Sequence, residues 1–227
     1  MENIKEKTRT EYIHDLQIVQ QKVSSMGELA RVAVDESIQA LLNGDAELAK
    51  KVMASDDAID DYIIEIEDYC LLLIAKQQPI AHDLRVIATG FKISTDIERI
   101  GDHAFDIART VQDVNVPLDT ERIHIVRELA DCALSMVGRA MEAYRRQDVS
   151  LADEVRRMDQ TMDDVFTRTF YSLSDFVTDE AARQKRVTQL LFIARYLERI
   201  GDHAVNIAEW VIYLETAERI HQKKCHG

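Results

Sequence analysis

The chain is short of the residues that break up regular structure. Only two prolines and seven glycines occur in 227 residues, and strong turn signals therefore lie far apart. That argues against many short strands and favours long helices. The three cysteines, Cys70, Cys132 and Cys225, are widely separated and odd in number. They offer neither a disulfide framework nor a Cys-x-x-Cys centre, a usage that suits a reducing cytoplasm. No apolar run approaches the ~18–20 residues of a membrane span; the densest, residues 70–75, is far shorter. Residues 1–11 are of mixed charge without an apolar core and do not read as a secretory signal. Positive charge is scarce as well: 28 Lys and Arg stand against 41 Asp and Glu, for a net charge of −13. With no basic stripe to offset it, that balance argues against a nucleic-acid partner. What remains is 46% hydrophobic, enough for real cores and too much for wholesale disorder.

What is present is a duplication. The stretch Glu98–Ala104, reading Glu-Arg-Ile-Gly-Asp-His-Ala, returns unchanged at Glu198–Ala204, and Ile107-Ala108 is echoed by Ile207-Ala208. Upstream, Leu48, Ala49, Val52 and Asp56 match Leu151, Ala152, Val155 and Asp159. Self-similarity of this kind decides the architecture before anything else. Two similar units are expected, residues 1–116 and 117–227, divided near Asn115-Val116-Pro117.

Each unit reads as three helices. From about residue 7 to 42, Leu16, Val19, Val23, Met26, Ala30, Ala33, Val34, Ile38, Leu41 and Leu42 recur at three and four, as on one face of an amphipathic helix. Asn43-Gly44-Asp45 then supplies a stop and the next N-cap. A second helix, with Leu48, Val52, Ile59, Ile63, Ile66 and Cys70, runs to about Lys76, and Pro79 breaks it. A third carries Leu84, Ile87, Ala88, Phe91, Ile97, Ile100, Ala104, Ile107, Ala108 and Val111. In the second unit, helices are expected over about 120–146, from the Asp148 cap to about Val177, and from a break at Thr178-Asp179-Glu180 to about Arg219. The tail to Gly227 reads as frayed. The fold class is all-α: two tandem three-helix bundles made of six long antiparallel helices.

A tight turn between the second and third helices sets their acids in register. Asp60 and Glu98 are equidistant from Pro79, and so are Asp56 and Asp102. Two i,i+4 carboxylate pairs therefore face each other across adjacent helices. In the second unit Asp163 pairs with Glu198 and Asp159 with Asp202, both centred at Glu180/Ala181. Asp106 extends the first row by a turn, and Asn206 takes its place in the second. Four carboxylates held together repel unless a cation sits among them, and a hard, oxygen-preferring metal is the simplest occupant. On a helical wheel the acids fall about 100° to 180° from Ile97, away from the core face, so open surface sites are expected. Asp57, Asp61 and Asp164 point further out as plain surface. His103 and His203 border the sites, and Arg99 and Arg199 neutralise the acids through salt bridges. Gly101 and Gly201, mid-helix where Gly costs about 1 kcal/mol relative to Ala, imply a close approach at that level.

An enzymatic reading finds less support. The Glu-x-x-His pairs Glu11/His14, Glu121/His124 and Glu218/His221 resemble di-iron ligands. Yet His14 lies ~20 Å along the bundle from Asp60 at 1.5 Å per residue. Neither a Gly-rich phosphate loop nor a Gly-x-Ser-x-Gly elbow occurs. A carboxylate-bridged metalloenzyme of helical-bundle type is the alternative from another class.

The doubled stretch, continued as Glu-Arg-Ile-Gly-Asp-His-Ala-x-Asp/Asn-Ile-Ala, resembles the PhoU family. So does Gln78-Pro79-x-Ala81-x-Asp83-Leu84-Arg85, and the likeness covers about residues 10–219. It implies a negative regulator of phosphate uptake and of the phosphate-starvation response, without enzymatic activity. It implies an adaptor between the phosphate ABC transporter, through its ATPase, and a sensor histidine kinase. It further implies a cytoplasmic homodimer, peripheral at the membrane face through protein partners. Some members carry multinuclear iron or zinc clusters, other divalent cations being possible. Those clusters map here onto Asp56, Asp60, Glu98, Asp102 and Asp106, and onto Asp159, Asp163, Glu198, Asp202 and Asn206.

Overall fold

The computed structural model describes residues 2–114, 120–176 and 181–220, and among these every regular element is a helix. α1 (Glu2–Asn43), α2 (Ala46–Gln77) and α3 (Ala81–Val114) make one antiparallel bundle. α4 (Thr120–Arg146), α5 (Val149–Ser174) and α6 (Ala181–Thr216) make the other. The two-bundle expectation holds. The Asn115-Val116-Pro117 boundary, the Thr178-Asp179-Glu180 break and the tail beyond Ile220 lie outside the described residues.

The duplication is plainest at the first turn of each unit. Asp45 caps α2, its carboxylate accepting from the backbone N–H groups of Glu47 (3.1 Å) and Leu48 (3.0 Å), and Asp148 caps α5 by accepting from Leu151 (3.0 Å). The preceding residue is left-handed in both copies, Gly44 at φ +63° and Gln147 at φ +53°. Only glycine adopts that conformation without a steric cost.

Some elements differ from expectation. α1 begins at Glu2 rather than near residue 7. α5 ends at Ser174, short of Val177. α6 ends at Thr216, three residues before Arg219, because the chain turns left-handed at Ala217 (φ +60°). Leu84 and Ala88, placed on the core face by periodicity, are exposed instead. The buried line of α3 there is Val86, Ile87, Gly90, Ile93 and Ile97. The core face is rotated because α3 packs on three helices: α1, α2 and α6.

The bundles are not separate bodies. α3 lies against α6 and α1 against α4, so one apolar core runs through both, including Val19, Ile97, Ile107, Met136, Ile200 and Val211, all 0–1% exposed. Each such side chain contributes about 2 kcal/mol of burial. Three contacts define how α3 meets α6. His203 Nδ1 lies 2.9 Å from Asp96 Oδ1, the His103 ring stacks on Tyr196 at 5.7 Å, and Arg85 Nε donates to the Leu214 carbonyl at 3.0 Å. All three obey one antiparallel register, in which Arg99 stands level with Ile200 and Ile100 with Arg199. The two copies of the seven-residue stretch therefore meet at the centre of the molecule.

The mid-helix glycines are explained by packing within each bundle. A Cβ on Gly101 would lie 2.9 Å from Ile59 Cδ1, and one on Gly201 3.1 Å from Met162 Cγ. Both neighbours are fully buried. Glycine lets α2 approach α3, and α5 approach α6, at the height of the acids. Gly101→Val overpacks this contact and is expected to lower unfolding free energy by about 2 kcal/mol, read as a reduced urea midpoint at unchanged m-value.

Candidate metal centre

Asp56 and Asp60 sit one turn apart on α2, and Glu98, Asp102 and Asp106 line the facing side of α3. In the first unit Asp56, Asp102 and Asp106 line one groove together with Arg99. The Asp56 carboxyl is pushed up to about 6, chiefly by burial and then by the negative charges of Asp60, Asp102, Asp57 and Asp106. Glu98 is also raised, first by burial and then by Asp102, with Arg99 opposing and Asp60 and Asp56 adding to it. Charges that act on one another this way lie close enough to repel. That groove is less open than the helical wheel implied: Asp56, Glu98, Asp102 and Asp106 are half-buried, and only Asp60 is exposed.

Arginines hold most of the α3 row. Arg99 reaches Asp102 Oδ2 at 2.9 Å through Nη1 and Glu98 Oε2 at 3.4 Å through Nε, while Arg109 Nη2 binds Asp106 Oδ1 at 2.7 Å. In keeping with these pairings, no group of three or more His, Cys, Asp or Glu side chains among the described residues stands arranged to hold a metal ion. The donors fit a hard cation in kind, being carboxylate oxygens whose repulsion a cation would relieve. Loading would have to draw Asp102 and Asp106 away from their arginines.

The second unit repeats the exposure pattern. Asp159, Glu198 and Asp202 are half-buried and Asp163 is exposed. Glu198 is held by Arg195 Nη1 at 2.7 Å, and Asp159 and Asp163 have interactions of their own. Asn206 leaves the row: its Nδ2 donates to Asp96 Oδ1 at 3.0 Å, across the contact between bundles. Substituting an amide for Asp106 thus coincides with a different task.

The histidines also belong to that contact. His203 shares Asp96 with Asn206, and the His103 ring lies between Tyr196 at 5.7 Å and His203 at 5.8 Å. Burial, followed by the nearby His203, Arg199, Arg99 and Arg195, holds His103 down to about 4, so it is neutral at physiological pH. Both histidines still border the first acid groove, a cavity of about 670 Å³ that Arg199 and Phe105 also line. Arg199 was expected to serve its own unit's acids; it flanks those of the other unit. Sequence reasoning missed Asp96, Tyr196 and Arg195. One signal was available: positions 96 and 196 occupy the same place in the two repeats, two residues before the identical stretch, yet one is Asp and the other Tyr.

Asp56 sets a pH dependence for the metal-free protein. Its native pKa lies above that of the unfolded chain, so the native state binds the extra proton between about pH 4 and 6 and loses stability as pH rises through that window. Above it the penalty is complete, about 1 kcal/mol once solvent screening is allowed for. Asp56→Asn is therefore expected to raise the urea midpoint of chelator-treated protein at pH 7.5, with the gain fading toward pH 4.

Comparison with known proteins agrees with this architecture. A family model described as PhoU domain matches twice, over residues 23–111 and 126–211. A phosphate-specific transport system accessory protein PhoU homolog from Clostridium acetobutylicum is 35% identical over 214 residues, covering 94% of this chain and 98% of that protein. The namesake from Pseudomonas aeruginosa is 35% identical over 201 residues, covering 88% and 83%. The crystal structure of PhoU from Pseudomonas aeruginosa superposes with a TM-score of 0.87 at 33% identity, over 91% of this chain and 100% of that one. The phosphate transport system regulatory protein PhoU from Streptococcus pneumoniae gives 0.83 at 26% identity, over 92% and 99%. With both units matched and relatives aligned along nearly their whole length, the chain belongs to the PhoU family.

Proposed function

We propose that this protein is a negative regulator of phosphate uptake and of the phosphate-starvation response, acting by binding rather than by catalysis. It couples the phosphate ABC transporter, through its ATPase, to a sensor histidine kinase. It works as a homodimer in the cytoplasm, held at the membrane face by those partners. One observation carries the reading: relatives that align along nearly their whole length are named as accessory proteins of the phosphate-specific transport system. No helix among the described residues is long and apolar enough to cross a membrane, which is compatible with attachment through protein partners.

The acid rows are the proposed metal sites, taking iron, zinc or another divalent cation, with room for more than one ion in each row. Asp56, Asp60, Glu98, Asp102 and Asp106 would hold the first, and Asp159, Asp163, Glu198 and Asp202 the second, with Asn206 at its edge. A cation there supplies the positive charge that the raised Asp56 and Glu98 lack. It would pin α2 to α3 and free Arg99 and Arg109 to meet a partner, so that loading changes the charge presented.

Two measurements test this. Deleting the gene should switch on phosphate-starvation genes in phosphate-replete medium, and normal repression in the deletion strain would overturn the regulatory reading. Elemental analysis after mild purification should find iron or zinc that Asp102→Ala with Asp202→Ala loses. A metal-free wild-type protein would remove the metal sites and leave the regulator.

A further inference from the structure

The two bundles differ in what they leave exposed, and the difference is complementary. On α2, residues 54–75 contain seven acids and no Lys, Arg or His. The side of that helix turned away from the core, opposite buried Ile59, Ile66 and Leu73, carries Asp61, Ile64, Asp68 and Leu71. Ile64 and Leu71 are 58% and 57% exposed. Acids and large apolar side chains thus alternate along nearly three turns, with nothing packed over them among the described residues.

The second bundle presents the reverse. Residues 165–174 of α5 and 184–197 of α6 hold no acid, but include Arg168, Lys185, Arg186 and Arg195. Between them lie aromatics where the first bundle has charge: Phe192 occupies the position of Lys92, and Phe170 and Tyr171 those of Glu67 and Asp68. Phe192 is 56% exposed and Tyr171 67%. Phe170 packs on Phe166 at 6.1 Å, and the Arg195 guanidinium lies 6.0 Å over the Phe166 ring. That stacking fixes the cation beside the apolar surface.

We propose that these surfaces are two sides of one interface between copies of this chain: α2 of each copy lies in the α5–α6 groove of the other. Ile64 and Leu71 seat against Phe170 and Phe192, and the acids of α2 meet Lys185 together with Arg168 and Arg195, which within the chain pair with Glu128 and Glu198. This is an amphipathic helix in an apolar groove, with the aromatic and arginine anchors typical of interface centres. The pairing occurs twice, reciprocally, and closes about a two-fold axis. An anionic bilayer is the poorer occupant, since a chain of net charge −13 is repelled by it everywhere outside this groove. The inference rests on the homodimer proposed above and adds which faces meet.

The test uses full-length protein carrying Cys132→Ser and Cys225→Ser, with the buried Cys70 left in place. Chains bearing Ala75→Cys are mixed with chains bearing Thr188→Cys, both exposed positions one turn from Leu71 and Phe192 on the same helix faces, and treated with a short bis-maleimide. A covalent dimer should form in the mixture and in neither variant alone. Light scattering of the uncrosslinked protein should give twice 26.0 kDa at low salt. Phe192→Ser, a change on an exposed side chain that leaves the core intact, should weaken the dimer about tenfold or more, and so should raised salt. A dimer that fails to crosslink in the mixture, or crosslinks equally within one variant, overturns this interface while leaving the dimer. A monomer at every salt concentration overturns both.

Discussion

The antiparallel meeting of α3 and α6 is the constraint on which the rest of the molecule depends. It places the two copies of the repeated stretch opposite each other, with His203 on Asp96, His103 on Tyr196 and Arg85 on the Leu214 carbonyl. The contact consumes both histidines and Asn206. It also carries Arg199 and His203 to the edge of the first acid groove. Each acid row therefore lies within one bundle, but the first is walled in part by the other. Two nominally equal sites become unequal through this one contact.

Within each bundle the governing balance is between packing and charge. Glycine at 101 and 201 removes the atoms that would hold neighbouring helices apart, and in the first bundle Asp56 of α2 feels the charges of Asp102 and Asp106 on α3. Without a cation, their repulsion is met by arginine on the same helix, one turn away, which satisfies charge without drawing the rows into a cage. The arrangement stores an electrostatic cost at Asp56 and Glu98 that a positive ion would relieve.

Much of the fold could be read from residues alone because its signals are local or repeated. Helical periodicity, the Gly44-Asp45 stop, the Pro79 break and the duplicated stretch each span few residues. The level of Asp56 with Asp102 followed from counting away from a single turn. What could not be read was which faces of the two bundles meet. Asp96 and His203 are 107 residues apart, and nothing in either helix's periodicity encodes a partner in the other repeat. The same gap explains Leu84 and Ala88: a two-helix view of α3 sets its apolar face at one angle, and a third neighbour turns it. Gly101 and Gly201 do mark a close approach, and what approaches is Ile59 and Met162.

Asp96 and His103 lie seven residues apart, two turns along the same side of α3. Tyr196 and His203 repeat that interval on α6. Because the register between the helices is antiparallel, each half carries both the group that is offered and the group that receives it. The junction is therefore self-complementary in either half, like a clasp whose hook and eye are cut into each end of one strip. Fusing two such halves in a single chain lets one end keep an acid where the other has adopted a phenol ring, an asymmetry that a pair of identical halves could not express.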